Sequence, residues 1–176
     1  MPLRHFFSIQ KILYMLYLNI GDDRMKNLFK TGIIAVFAIL LFVTGCGQKN
    51  VEGTLEEIMT KVYKDIPQDE RPMGLANTVV TEETVEYFLG TKDIEYEEAL
   101  ASEPMVSSIA HSVVLVRTKK NANVEEIKRK IKENVNPRKW MCVEADEVVV
   151  KSKGNLIILI MVQGDREKLE TNFDNL

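Results

Sequence analysis

The chain has 176 residues, of which 45% are hydrophobic and 28% charged, a composition inside the ordinary globular range. Five of its 23 basic and two of its 26 acidic residues precede Cys46, so the remainder carries 18 and 24, a net charge of −6. That balance excludes electrostatic capture of nucleic acid, which needs a basic footprint, and it gives no hold on anionic lipid unaided.

Residues 1–24 contain an apolar stretch, 12–20, with no cleavage site, followed by Gly21-Asp22-Asp23-Arg24 directly before Met25. This tetrapeptide can be encoded by a purine-rich stretch resembling a ribosome-binding site. Residues 1–24 are therefore read as a non-native upstream extension and Met25 as the working start; the alternative is a long positive n-region. From Met25 the chain runs Met-Lys-Asn-Leu-Phe-Lys, then the 12 apolar residues Gly32–Val43, then Thr44-Gly45-Cys46. A positive n-region, a short apolar core and small residues at a cut site make residues 25–45 a secretory signal peptide. Twelve residues are too few to cross a hydrocarbon core of about 30 Å as a finished helix.

The tetrapeptide Val43-Thr44-Gly45-Cys46 resembles the lipobox of bacterial lipoproteins. The resemblance implies diacylglyceryl addition at the Cys46 sulfur, cleavage between Gly45 and Cys46, and acylation with chains such as palmitate. A thiolate is the nucleophile able to take the lipid. Two acyl chains, at about 0.8 kcal/mol per buried methylene, anchor stably where one is marginal. The expected partner is thus the cell membrane, reached from its extracytoplasmic face.

Residues 46–53 read as a polar linker and 54–176 as a single domain. Thr54 with Glu57 forms a capping box, and Leu55, Ile58, Met59, Val62, Tyr63 and Ile66 make the buried stripe of a helix that Pro67 ends. Residues 68–77 read as loop, a second helix is predicted from Thr81, and Gly90 stops it. Residues 93–103 are acidic and ambiguous. Val113-Val114-Leu115-Val116 reads as a strand covered on both faces. Asn123 caps the next helix, with Val124, Ile127, Ile131 and Val135 on its buried side. Residues 143–151 and 155–162 make a hairpin turning at Gly154, and Asp165 opens a last helix. The predicted order is α-α-β-α-β-β-α, an α+β two-layer sandwich with at least three strands and helices on one face.

Pro104-Met105, the Ile109–Lys119 strand, the charged helix and the Lys153-Gly154-Asn155 hairpin resemble the domain of unknown function 4358 family of small bacterial lipoproteins. The resemblance spans roughly Leu55 to Lys168 and implies no catalytic residues. Met141-Cys142 departs from it, where an aromatic and a polar residue are expected.

No catalytic, metal or cofactor set assembles from the sequence. After Cys46 the chain holds one histidine, His111, and one further cysteine, Cys142. His111 and Ser112 are strand neighbours and point to opposite faces, so they cannot act together as base and nucleophile. His111 is expected to be a hydrogen-bonded or surface residue, Cys142 a buried small apolar one, and Trp140 core. The run Glu95, Glu97, Glu98 and Glu103 lacks the ladder of a calcium loop. Lys128, Arg129, Lys130 and Lys132, interleaved with glutamates, read as a solvated helix face. The expected function is a non-catalytic binding or interaction module at the cell envelope, meeting an envelope protein or a cell-wall component. The alternative is a lipid-anchored hydrolase using carboxylates.

Overall fold

A computed structural model describes residues 50–164 and 166–176. The expected upstream extension, signal peptide and lipobox with Cys46, the first half of the expected linker, and Asp165 lie outside the described residues.

Helix α1, Leu55–Val62, starts at the expected capping box: Glu57 N donates to Thr54 Oγ1 at 3.2 Å, and Thr54 N donates to Glu57 Oε2 at 3.1 Å. Strand β1, Leu75–Val79, follows, then the short helix α2, Val85–Leu89. Strands β2, Tyr96–Pro104, and β3, His111–Thr118, form a hairpin, and helix α3, Val124–Asn134, is capped by Asn123 as expected. A second hairpin, β4 (Glu147–Lys153) with β5 (Leu156–Val162), turns through Gly154 at φ 59°. Helix α4, Arg166–Asp174, completes the chain. All five strands pair antiparallel in one sheet of order β1-β2-β3-β5-β4.

The class is α+β, and the sheet has five strands where at least three were expected. The predicted order is corrected to α-β-α-β-β-α-β-β-α, because β1 and β2 lie where loop and ambiguous sequence were read. Helices on one face of a two-layer sandwich is also corrected. One cluster packs α2, α3 and Trp140 against Ala99, Ala101, Val114, Val116, Ile157, Leu159 and Met161. The other packs α1 and α4 against Leu100, Val113, Leu115, Leu156, Ile158, Ile160 and Val162. Successive strand residues alternate between the two clusters, as the pleat requires. The sheet is therefore the middle of three layers. All seven residues of β5, Leu-Ile-Ile-Leu-Ile-Met-Val, are buried, since half of them would face water if either helical layer were missing.

On the α2–α3 face the layer is thin. Gly90, at φ 77°, terminates α2 against the end of α3, and a β-carbon there would stand 2.3 Å from the Asn134 carbonyl carbon. Gly164 has a similar φ of 73° with nothing within 4 Å of the same position. The left-handed backbone alone disfavours a side chain by roughly 1–2 kcal/mol at either site. Gly90→Ala is expected to lower the urea unfolding midpoint clearly more than Gly164→Ala, the excess measuring the α2–α3 approach. Equal losses would show that the two helices part without cost.

Candidate functional site

Polar groups gather inside the domain at one end of the sheet, where β2 finishes and β3 begins. Of the buried polar residues Ser102, His111, Ser112 and Thr118, the first three lie there. Ser102 pairs with Val113 in the β2–β3 register, so Ser102 and His111 face α1, while Ser112 faces α2 and the loop after α3.

On the α1 face, the Tyr63 hydroxyl shares a 2.7 Å hydrogen bond with His111 Nε2 and a further one with the Ser102 side chain. The two rings stack with centroids 6.0 Å apart. Arg71 lies over the Tyr63 ring at 5.3 Å and donates to the carbonyls of Ile66 at 2.9 Å and Tyr63 at 2.7 Å. Thus a loop arginine closes the open carbonyls beyond α1 and caps the tyrosine. Burial pushes the Tyr63 phenol far above its ordinary range, so it remains a neutral hydrogen-bonding hydroxyl.

On the other face, Lys139 is paired with Glu103 Oε1, and its Nζ lies 3.3 Å from Ser112 Oγ. Rings of Tyr87, Phe88 and Trp140 surround the ammonium at 4.4, 5.2 and 5.4 Å. Tyr87 also donates to Glu103 Oε2 at 3.3 Å. The Lys139 side chain is only 5% exposed and that of Glu103 14%. Burial lowers the Lys139 pKa below the usual lysine range, against the opposing pull of Glu103. Burial and the Glu103 charge together raise the Tyr87 phenol.

These sets are chemically satisfied rather than poised. Ser112 is fully buried and His111 is 5% exposed, so neither offers an edge to a substrate. Glu103 is engaged by a cation and a phenol. Among the described residues no three His, Cys, Asp or Glu side chains converge to hold a metal ion. His111 is hydrogen-bonded and Trp140 is core, as expected. Cys142 is corrected: it is exposed, in a left-handed turn at φ 62°, because the loop reverses there immediately after Trp140 is buried. The acidic run falls on or beside β2, where Glu98 meets Arg117 at 2.8 Å and Glu103 meets Lys139. The basic α3 face is a solvated ladder in which Lys128 pairs with Glu125, and Arg129 with Glu126 and Glu133. Tyr63, Arg71, Tyr87 and Lys139 carried no sequence signal as a set, since their contacts join residues remote in the chain.

The loops at this end are tied together and apolar outside. Met105 N donates to Gly74 O at 3.0 Å, and Met141 N donates to Ser107 O at 2.8 Å. Met73, Met105, Val106 and Met141, all on these loops, are exposed, Met73 and Met105 by more than four-fifths. At the opposite end of β3, Arg117 donates to the carbonyls of Val51 at 2.8 Å and Gly53 at 2.6 Å while its Nε meets Glu98. The linker is thereby fastened about 20 Å along the strand from His111, at 3.4 Å per residue. No family model matches the chain, and no curated protein or solved structure matches it.

Two outcomes test these sets. Glu103→Ala, which strands a buried ammonium, is expected to destabilise by about 3–5 kcal/mol in urea unfolding, with Glu103→Leu/Lys139→Met recovering most of it. A loss of only about 0.5 kcal/mol would place the pair with ordinary surface bridges. The Tyr63 pKa is raised over the ordinary 10.0 of the unfolded chain. Below pH 10 both states are protonated; above it the unfolded chain ionises first, so stability falls as pH rises. The Tyr63→Phe curve is expected to fall less steeply above pH 10 than that of the parent.

Proposed function

We propose that the chain is a bacterial lipoprotein, cleaved between Gly45 and Cys46 and lipidated on Cys46. Its domain is a non-catalytic interaction module on the extracytoplasmic face of the cell membrane. The lipobox Val43-Thr44-Gly45-Cys46 behind a charged and then apolar segment supports the anchor. The resemblance to the domain of unknown function 4358 family belongs to the same reading.

One observation carries the reading of the domain as an interaction module. Arg117 holds Val51 and Gly53 at the end of β3 remote from the methionine-bearing loops. Met73, Met105, Val106 and Met141 thus lie at the end of the domain opposite to where Val51 and Gly53 are held, an exposed apolar surface for an envelope protein or wall component. Exposed apolar side chains gathered on adjoining loops suit protein contact, methionine being flexible enough to fit an uneven partner. The buried state of His111, Ser112 and Lys139 supports recognition over catalysis.

Replacing Cys46 with Ser is expected to abolish metabolic labelling with fatty acid; persistent labelling sinks the anchor. A photoreactive residue at Met105 or Met141 is expected to capture one defined envelope component in cells. Capture should be lost with Met73→Asp, an exposed change that leaves the core untouched. Capture of nothing at native expression removes the interaction reading and leaves the anchor standing.

A further inference from the structure

The two edges of the sheet are built differently. Along β4, Glu147, Lys151 and Lys153 are charged and engaged: Lys151 meets Glu170 and Asp174, Lys153 meets the Asp174 and Leu176 carbonyls, and Arg166 meets Glu147. Charges on an edge, and a helix reaching over it, keep foreign strands off. Strand β1 reads Leu75-Ala76-Asn77-Thr78-Val79, with no charge and no proline. Its residues 76–79 are all exposed, Val79 by 62%.

The phase of its hydrogen bonds fixes which groups are open. Val80 N donates to Ala99 O at 2.9 Å, and Met105 N donates to Gly74 O at 3.0 Å. Both pairs belong to the β1–β2 register that sets Leu75 against Pro104 and Val79 against Leu100. In an antiparallel ladder hydrogen-bonded residues alternate, so Ala76 and Thr78 turn their backbone groups to β2. Leu75, Asn77 and Val79 turn theirs outward, and among the described residues those groups have no acceptor or donor. Three N–H and three C=O groups thus stand in a row, ready for another strand.

We infer that β1 pairs antiparallel with β1 of a second copy of this chain, about a two-fold axis through Asn77, joining two sheets into one of ten strands. The sequence of the edge is self-complementary in that register. Leu75 stands opposite Val79 of the second copy, Asn77 opposite Asn77, and Ala76 opposite Thr78 on the other face. Outward-bonding residues meet outward-bonding residues, as the ladder demands. An asparagine at a two-fold axis satisfies itself, because its amide donates and accepts, whereas a lysine or glutamate there would meet its own charge. No charged side chain occurs at any of the five positions, so two copies of an acidic domain meet without repulsion at the seam. A strand pair of this length buries less than the 1,200 Å² or so of a standard stable interface. The association is therefore weak and reversible, and a covalent trap reads it best.

The experiment uses the full chain in detergent with Cys46→Ser/Cys142→Ser as background, which leaves no other thiol to cross-link. Hydrogen-bonded antiparallel pairs hold their α-carbons about 5.5 Å apart, within the range a disulfide spans. Asn77→Cys is expected to give a covalent dimer on mild oxidation, at least tenfold more than Thr78→Cys. The equivalent diagonal pair at Thr78 lies about 7–8 Å apart. An excess of background chain, with Asn77 intact, is expected to lower the yield by competing for the same edge. Adding Val79→Lys, at an exposed position, is expected to cut the yield at least tenfold with an unchanged thermal midpoint. Equal trapping at both positions, trapping indifferent to Val79→Lys, or no trapping overturns the inference. A covalent adduct between Asn77→Cys and a different envelope protein in cells, in place of the dimer, likewise overturns it and assigns the edge to a foreign strand. None of these outcomes depends on the anchor at Cys46.

Discussion

The interior of the molecule depends on two adjacent strands that are apolar on both sides. Strands β3 and β5 lie next to each other in the sheet, and Val113–Val116 and Leu156–Val162 are buried throughout. An antiparallel sheet ordinarily leaves one face to water and alternates accordingly. Here that alternation is absent, so both faces need cover, and the chain supplies two helices to each. From this requirement follow the glycine that lets α2 settle on α3, the small residues Ala99 and Ala101 beneath them, and the capping of α1 at Thr54.

Burying both faces leaves few ways to accommodate polar side chains, and the domain concentrates them where β2 passes into β3. Tyr63, His111 and Ser102 satisfy one another on one side, Lys139, Glu103 and Ser112 on the other. Each set is held by aromatic rings and by a cation from a loop. An unsatisfied buried polar group costs about 1–3 kcal/mol, so these closures brace the loops that follow β2 and α3. The result is a firm base beneath exposed methionines. Firmness below and softness above suits recognition, because the backbone is ordered in advance and only side chains adjust on contact.

Much of this was legible in the sequence, and the misses have physical causes. The capping residues Thr54 and Asn123, the stop at Gly90 and the turn at Gly154 act within a few residues, so local pattern reveals them. Strand β1 escaped because Pro72, Gly74 and Asn77 signal a loop, and an edge strand with one neighbour needs little intrinsic preference. Strand β2 escaped because Glu97 and Glu98 sit on its exposed part while its buried part uses alanine and serine. The one-face arrangement failed against evidence already in the chain, since Val113–Val116 demanded cover on both sides. Cys142 was misplaced because a thiol's burial is set by a loop reversal that spacing does not encode. The polar sets could not be found at all: Tyr63 and His111 are 48 positions apart, and Glu103 and Lys139 are 36.

The grip of Arg117 on Val51 and Gly53 has a mechanical side. Tension arriving through the chain ahead of Val51 passes first into the guanidinium bonds, and from there into β3 at the centre of the sheet. Helix α1, which begins at Leu55 just beyond the grip, is shielded from the pull until those bonds part. Load directed along a central strand strains the ladder bonds on both of its sides together. Load delivered to α1 would peel the helix away one turn at a time. The arginine is thus a strain relief: a pull on the chain ahead of Val51 reaches the central strand before it reaches α1.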